Sequence, residues 1–257
     1  MISKINPASA AIELREFIGW VHPSDFTLDI VADSLGICVK EIPIEGSQGR
    51  IIMNGNHGVI SINSNISYQP SKNFIIAHEI GHFILHKDLI VCSDTHKTLS
   101  EWHKKGPQET EANDFASELL MPLNQYCLKV KGKKMGLALI EDVSSYFNVS
   151  KLSAFIKYIS HGDYPVMVIF MENGLVKWKK CSSDFPFKYL PYESAIPPYT
   201  VAGDYFYHNS FEEAPEKVDA IEWFPEDFQI KYKKDHKLWE QCYRVSENGL
   251  ISCLWTD

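Results

Sequence analysis

The hydrophobic positions of the chain follow two different periods, and the change between them lies near residue 161. Before this point, apolar residues recur mostly at the spacing of amphipathic or buried helices. After His161-Gly162-Asp163, aromatic and β-branched runs flank Asn-Gly turns at Asn173-Gly174 and Asn248-Gly249. The pattern therefore predicts two domains, residues 1–161 and residues 162–257, the second of them β-rich.

The first domain is expected to combine helices with a small N-terminal antiparallel sheet, which makes the fold class α+β. Gly46, Gly49 and the Asn54-Gly55 turn separate its predicted strands. Helices are predicted over residues 7–21, from residue 24 or 25 to residue 36, and over residues 71–87, 108–121, 136–147 and 150–160; strands over residues 37–42, 50–53 and 59–63; and a loop over residues 93–107. The helices after Pro122 form a helical extension, residues 122–161, of this domain.

Composition excludes several classes of protein. The 257 residues are 45% hydrophobic and 23% charged, as in an ordinary globular protein and unlike a largely disordered one. With 25 basic and 33 acidic residues the net charge is -8, so direct nucleic-acid binding is not expected. The longest apolar run, residues 166–171, is far shorter than the ~20 residues of a membrane-spanning helix, and no membrane association is expected.

The cysteines and the first residues point to a cytoplasmic location. The six cysteines are scattered without a CxxC pair, which fits reduced thiols better than a disulfide framework. Glu13, Arg15 and Glu16 interrupt the stretch that would have to be the apolar part of a secretory signal.

The segment His78-Glu79-Ile80-Gly81-His82 is an HExxH pattern inside the predicted helix 71–87. Four residues advance a helix by about 400°, so the two histidines lie about 40° apart and about 6 Å along the axis, close enough to bind one zinc ion. Glu79 is about 100° round from His78, near enough to reach a water on the metal without ligating it. The rest of the helix is apolar, so a metal explains the buried polar groups better than the alternative, two core histidines satisfied by hydrogen bonds.

A third ligand is expected from the predicted helix 108–121, because a catalytic zinc normally has three protein ligands and one open position. At about 100° per residue, Glu109 faces the apolar side of this helix more closely than the other acids do. Glu111, Asp114 and Glu118 are expected on a solvated face. Asn113, one turn after Glu109, is expected to hold either Glu109 or a ligating imidazole by a hydrogen bond.

His86 is not expected to be a ligand, although it follows His82 by four residues. It lies about 12 Å along the helix axis from His78, too far for both rings to reach one ion. We expect it to cap the helix end or to line the cleft. Tyr68 and His103 are both candidates to stabilise a tetrahedral oxyanion, and the sequence does not choose between them.

The HExxH segment followed by Glu109-Thr110-Glu111-Ala112-Asn113-Asp114-Phe115-Ala116 and Leu119-Leu120-Met121-Pro122 resembles the ImmA/IrrE metallopeptidase family. The resemblance covers about residues 26–159 and leaves the region after residue 162 unmatched. It implies a zincin-like helical metallopeptidase domain with one catalytic Zn²⁺ bound by His78, His82 and Glu109. It also implies that Glu79 is the catalytic acid and base.

The same resemblance implies an intracellular hydrolase, a zinc metalloprotease of the HExxH type. Members of this family typically cleave or inactivate helix-turn-helix repressors in phage, mobile-element or stress control, so the expected partner is a protein substrate of this kind. The alternative is a regulatory protein on a peptidase scaffold that sequesters a repressor without cutting it. Transcription regulation is the expected role in either case.

Overall fold

In the computed structural model of the protein, the described residues are 6–86, 91–95, 106–210, 214–233 and 235–256. They divide into two compact units. The first consists of the described residues up to Lys129 together with Val143–Ser153, and the second of Val130–Asp142 together with the described residues from Ala154 onward. The proposed domain boundary between residues 161 and 162 stays a prediction about which segments fold independently.

Both units combine helices with one β-sheet. In chain order the elements are α1 Pro7–Ile18, α2 Leu28–Ser34, β1 Ile37–Ile42, β2 Ser47–Asn54, β3 His57–Asn63, α3 Gln69–Leu85, β4 Val91–Thr95, α4 Pro107–Leu120, α5 Leu123–Val130, α6 Leu137–Phe147, α7 Lys151–His161, β5 Val166–Glu172, β6 Leu175–Cys181, α8 Val201–His208, β7 Glu216–Asp219, α9 Ala220–Trp223, a 3-10 helix Phe228–Tyr232, β8 Lys237–Arg244 and β9 Gly249–Trp255. The predicted α+β class is confirmed. Among the described helices, none combines the length and the apolar character that crossing a bilayer requires.

The first sheet has the strand order β1-β3-β2-β4, and the prediction that it is antiparallel throughout is wrong for one pair. β1 runs parallel to β3, with Ile37 opposite Gly58. β2 and β3 form an antiparallel hairpin through the turn at Gly55 and Asn56. In this hairpin β3, and not β2, lies next to β1. Asn63, the last residue of β3, holds the connection between β1 and β2, because its side-chain amide donates to the carbonyls of Ile44 at 2.8 Å and Ser47 at 3.2 Å.

Other predicted boundaries also change. Residues 93–95, predicted to be a loop, belong to β4, which pairs with β2, whereas residues 96–105 of that predicted loop lie outside the described residues. The second helix begins at Leu28 because Asp25 does not cap it. The Asp25 carboxylate instead accepts hydrogen bonds from Val21 N at 3.0 Å and His22 N at 2.6 Å, which closes a preceding turn.

The second unit is built on an antiparallel sheet with the order β6-β5-β9-β8-β7. Both predicted hairpins are present, β5 to β6 through Asn173-Gly174 and β8 to β9 ahead of Gly249. Asn173 and Gly174 have φ of 52° and 75°, the left-handed conformation that a two-residue hairpin turn requires. Every residue of β9 is buried, as expected for a central strand covered on both faces.

A buried carboxylate that the sequence did not reveal ties α8 to this sheet. Glu240 on β8 is fully buried and accepts hydrogen bonds from Val201 N at 3.0 Å and Ala202 N at 3.2 Å, at the start of α8. It also accepts from Ser252 Oγ at 2.9 Å and Trp223 Nε1 at 3.2 Å. Burial raises the pKa of this carboxyl more than the four donors lower it. Glu240 is therefore a structural anchor within the second unit.

Asp227 is a second buried acid of this unit, and its pKa is shifted in the opposite direction from that of Glu240. Its carboxylate accepts from the backbone amides of Lys188 and Tyr189, both at 2.7 Å, and of Gln229 at 2.8 Å. Burial raises the pKa of Asp227, but these donors and Lys179 together bring it below the usual range. The native state thus binds this proton more weakly than the unfolded chain, so the stabilisation is present above the unfolded pKa and is lost as pH falls through the folded one.

We predict that Asp227→Asn lowers the free energy of unfolding by about 1–3 kcal/mol at pH 7, because one amide oxygen cannot accept all three hydrogen bonds. The difference between wild type and variant should shrink as pH falls below about 4, where the unfolded wild-type chain begins to take up this proton, and should continue to shrink as pH falls through the lower pKa of the folded state. Urea unfolding of both proteins at pH 7, 5 and 3.5 measures it. A difference that stays constant over this range would contradict the assigned charge.

Candidate metal centre

α3 presents two imidazoles to one point. His78 and His82 lie one helical turn apart, and their Nε2 atoms are 3.0 Å from each other. Both residues are buried, with 1% and 2% of their surface exposed. Two ring nitrogens at this distance and depth need a shared proton or a shared cation between them, because two lone pairs would repel each other.

α4 approaches α3 closely because position 81 has no side chain. A Cβ added at Gly81 would lie 3.1 Å from a Phe115 ring carbon and 3.3 Å from Ala112 Cα. Ala112 and Phe115 are fully buried on the facing side of α4. Close packing at this point brings the first turn of α4, with Glu109, beside the two histidines.

Arg15 of α1 holds the other end of α4. Its guanidinium donates to the carbonyl of Leu119 at 2.8 Å and to that of Val21 at 3.0 Å, and it lies 4.4 Å from the centre of the Trp20 ring. Burial lowers the pKa of Arg15 to about 10, which leaves it charged at neutral pH. The contact satisfies a carbonyl in the last turn of α4 and fixes the helix along its length.

Glu109 completes a group able to hold a metal ion. Its Oε1 lies 3.1 Å from His82 Nε2, and its Oε2 lies 3.4 Å from His78 Nε2. One ligand atom from each of the three residues falls within 4.8 Å of the others. Tetrahedral zinc ligands at ~2.1 Å from the ion are roughly 3.4 Å apart, so the three donors fit such an ion in spacing and in chemical type. Glu109 is 26% exposed, which leaves an open side to the group.

Asn113 of α4 contacts the first of the two histidines. Its Oδ1 is 3.0 Å from His78 Nδ1. An amide oxygen only accepts, so His78 carries its proton on Nδ1 and directs the lone pair of Nε2 toward Glu109 and His82. Of the two roles weighed for Asn113, the structure places it against the imidazole.

Two acids of α4 differ from their predicted solvated positions. Glu111 is only 20% exposed, and its Oε2 lies 2.9 Å from His86 Nε2. Glu118 is 9% exposed, and its Oε1 accepts from Leu123 N at 2.8 Å across the turn at Pro122. Both predictions were wrong because other residues lie against these two acids, His86 at the end of α3 beside Glu111 and Leu123 at the start of α5 beside Glu118, where a helical wheel shows only solvent. Asp114 is exposed as predicted.

Glu79 projects from α3 toward the first sheet. The residue is 1% exposed, and a Cβ added at Gly49 of β2 would lie 3.4 Å from its Oε1 and 2.3 Å from a methyl carbon of Ile75. The missing side chain at Gly49 therefore leaves room for Ile75, and the Glu79 carboxylate lies next to the same point of the sheet. Of the two oxyanion candidates, Tyr68 precedes α3 and is 52% exposed, and His103 lies outside the described residues.

The region that contains α3 and α4 is similar to known proteins. Residues 32–156 match the family model of the IrrE N-terminal-like domain, Peptidase_M78. A stretch of 99 residues is 36% identical to Metallopeptidase ImmA of Bacillus subtilis (strain 168), covering 35% of this chain and 49% of that protein. The chain thus matches about half the length of this relative. Both α3 and α4 lie within the family match.

The fold also resembles that of a solved structure, a Mycobacterium tuberculosis transcriptional regulator. The TM-score is 0.63 at 13% identity, over 97% of this chain and 76% of the other. At this identity the likeness concerns the fold alone.

We predict that side chains added at Gly81 weaken the metal centre in proportion to their size. Gly81→Val should cost about 1–3 kcal/mol of stability and lower the affinity for zinc, because α4 and Glu109 must move away from α3. Gly81→Ala should have a smaller effect of the same sign. If instead helix propensity dominates, Gly81→Ala will be stabilised by about 0.5–1 kcal/mol with unchanged zinc affinity. Urea unfolding of the metal-free proteins and zinc titration separate these results.

Proposed function

Because residues 32–156 belong to the ImmA/IrrE family of metallopeptidases, we propose that this chain is a zinc-dependent endopeptidase whose ion is held by His78, His82 and Glu109. The observation that carries the proposal is the convergence of two imidazole Nε2 atoms and a carboxylate within 4.8 Å of one another. The hydrogen bond to Asn113 supports it further, because it leaves the Nε2 lone pair of His78 free to bind a cation.

Zinc held by these three residues would supply a Lewis acid able to polarise a peptide carbonyl and to acidify water. The residues of the chain supply the proton transfers. Glu79 follows the first ligand on α3, and its burial keeps the carboxylate away from bulk water. In the proposed mechanism it takes a proton from the attacking water and returns one to the departing amine nitrogen. A zincin-like arrangement of α3 and the adjoining sheet is part of this proposal.

The proposed substrate is a protein, a helix-turn-helix transcriptional repressor cut at a selected site in phage, mobile-element or stress control. The family resemblance supports this choice. A net charge of -8 argues against direct binding to DNA, so the proposed activity acts on the repressor and not on its operator. We place the activity in the cytoplasm, since the cysteines with described side chains are free.

A second candidate function is sequestration of the repressor without cleavage. The observation that favours it is a set of large exposed aromatic side chains in the second unit: Tyr199 is 78% exposed, Tyr232 72%, Tyr192 68% and Phe228 63%. Aromatic side chains of this kind are enriched at protein interfaces. In this case the metal centre would stabilise the fold, and the repressor would remain intact.

We predict that Glu79→Gln keeps one zinc per chain and loses at least about 100-fold in cleavage rate, because the amide cannot accept the water proton. Zinc content by metal analysis and new peptide termini by mass spectrometry, in cells that express either protein, provide the two readouts. Glu109→Gln is the matched control, in which zinc affinity and cleavage should fall together.

Three results are decisive. New termini in the wild type that are absent from Glu79→Gln identify a substrate and support proteolysis. Equal cleavage by both proteins would remove Glu79 from the mechanism. Intact repressor that co-elutes with zinc-loaded wild type would favour sequestration.

A further inference from the structure

A chain of hydrogen-bonding groups leads from α4 back to the second histidine of α3. Glu111 Oε2 lies 2.9 Å from His86 Nε2, and His86 Nδ1 lies 3.0 Å from His82 Nδ1. The side chains of His82 and His86 are 3% and 7% exposed, so water does not compete strongly for these contacts.

The types of group in the chain determine where its protons lie. A carboxylate only accepts, so His86 donates its Nε2–H to Glu111. The Nδ1 of neutral His86 then carries a lone pair and accepts the Nδ1–H of His82. This tautomer of His82 leaves the lone pair on Nε2, the atom that lies 3.1 Å from Glu109 Oε1. The reverse tautomer of His86 would place a lone pair against the carboxylate and a proton on Nε2 of His82.

We propose that His86 and Glu111 are positioning residues that set the tautomer and ring orientation of His82 and thereby raise the affinity of the site for its metal ion. This inference rests on the proposed zinc site. It gives the two ligating histidines different supports, since His78 donates directly to the neutral amide of Asn113 and His82 donates through a second imidazole to a charged carboxylate.

Glu109 and Glu111, the two acids at the start of α4, then have different roles. Glu109 lies beside both Nε2 atoms of the ligating pair, and Glu111 contacts the ring that supports one of them. His86 itself is not a ligand in this arrangement, because its two ring nitrogens face Glu111 and His82. His86 directly follows α3 and is four residues after His82, so the two rings lie on the same side of the helix.

Two substitutions of His86 distinguish the effect of its hydrogen bond with His82 from the effect of packing by its ring. His86→Phe keeps a ring but offers no acceptor to His82. His86→Asn is smaller and loses the contact with Glu111, but its side-chain oxygen lies close to the former Nδ1 and can accept from His82, as Asn113 does from His78. We expect about a 10- to 100-fold rise in the zinc Kd for His86→Phe and a value nearer to wild type for His86→Asn.

Glu111→Gln tests the far end of the chain. It should weaken zinc binding in the wild-type background and have no further effect in the His86→Asn background, where the connection is already broken. Asp114→Asn is the charge-matched control, since it removes one negative charge from an exposed position of the same helix, and its Kd should stay within about 2-fold of wild type.

The experiment uses the full chain, with zinc affinity measured by chelator competition and folding of the metal-free proteins checked by thermal unfolding. Nitrogen-15 NMR of the histidine side chains gives a second readout, in which His82 is the Nδ1–H tautomer in the wild type. Weaker binding by His86→Phe with recovery in His86→Asn supports the inference. Equal affinities, or tighter binding by His86→Phe than by His86→Asn, would overturn it and leave the zinc site standing. A wild-type chain that binds no zinc would overturn both this inference and the proposed function.

Discussion

The close contact between α3 and α4 is the constraint on which the candidate site depends. Gly81 stands where any side chain would meet the backbone of Ala112, so two helices separated in sequence approach within backbone contact distance. Only this approach places Glu109 within 3.1 to 3.4 Å of the two imidazoles. Arg15 fixes the far end of α4 through the Leu119 carbonyl, which adds α1 to the same assembly.

Polar groups around the site are arranged so that each histidine presents the same atom to the same point. A neutral imidazole has one donor and one acceptor, and the partner on Nδ1 decides which nitrogen has the lone pair. Asn113 makes this choice for His78, and the groups beyond His82 make it for the second ring. The two buried imidazoles of α3 are thus held by polar partners, in agreement with the cost of burying such groups without them.

The second unit uses buried carboxylates differently. Glu240 accepts hydrogen bonds from two backbone amides at the start of α8 and from two side chains. Asp227 accepts from three backbone amides, two in the segment between β6 and α8 and one in the 3-10 helix. Each satisfies donors that an irregular segment cannot pair within itself. Glu240 holds the start of α8 against the five-stranded sheet and Asp227 joins two irregular segments. In the first unit, by contrast, Glu109 belongs to the group of potential metal ligands.

The sequence by itself determined the local features of this protein. The HExxH spacing on one helix, the approximate extents of α3 and α4, the inward position of Glu109 and the Asn-Gly hairpins all follow from periodicity and backbone preferences within about 15 residues. Tertiary structure decided the parallel pairing of β1 with β3, the extra strand β4, the partial burial of Glu111 and the burial of Glu118 and Glu240. These depend on which distant segment packs against a given face, and a helical wheel or a strand pattern has no information about that neighbour.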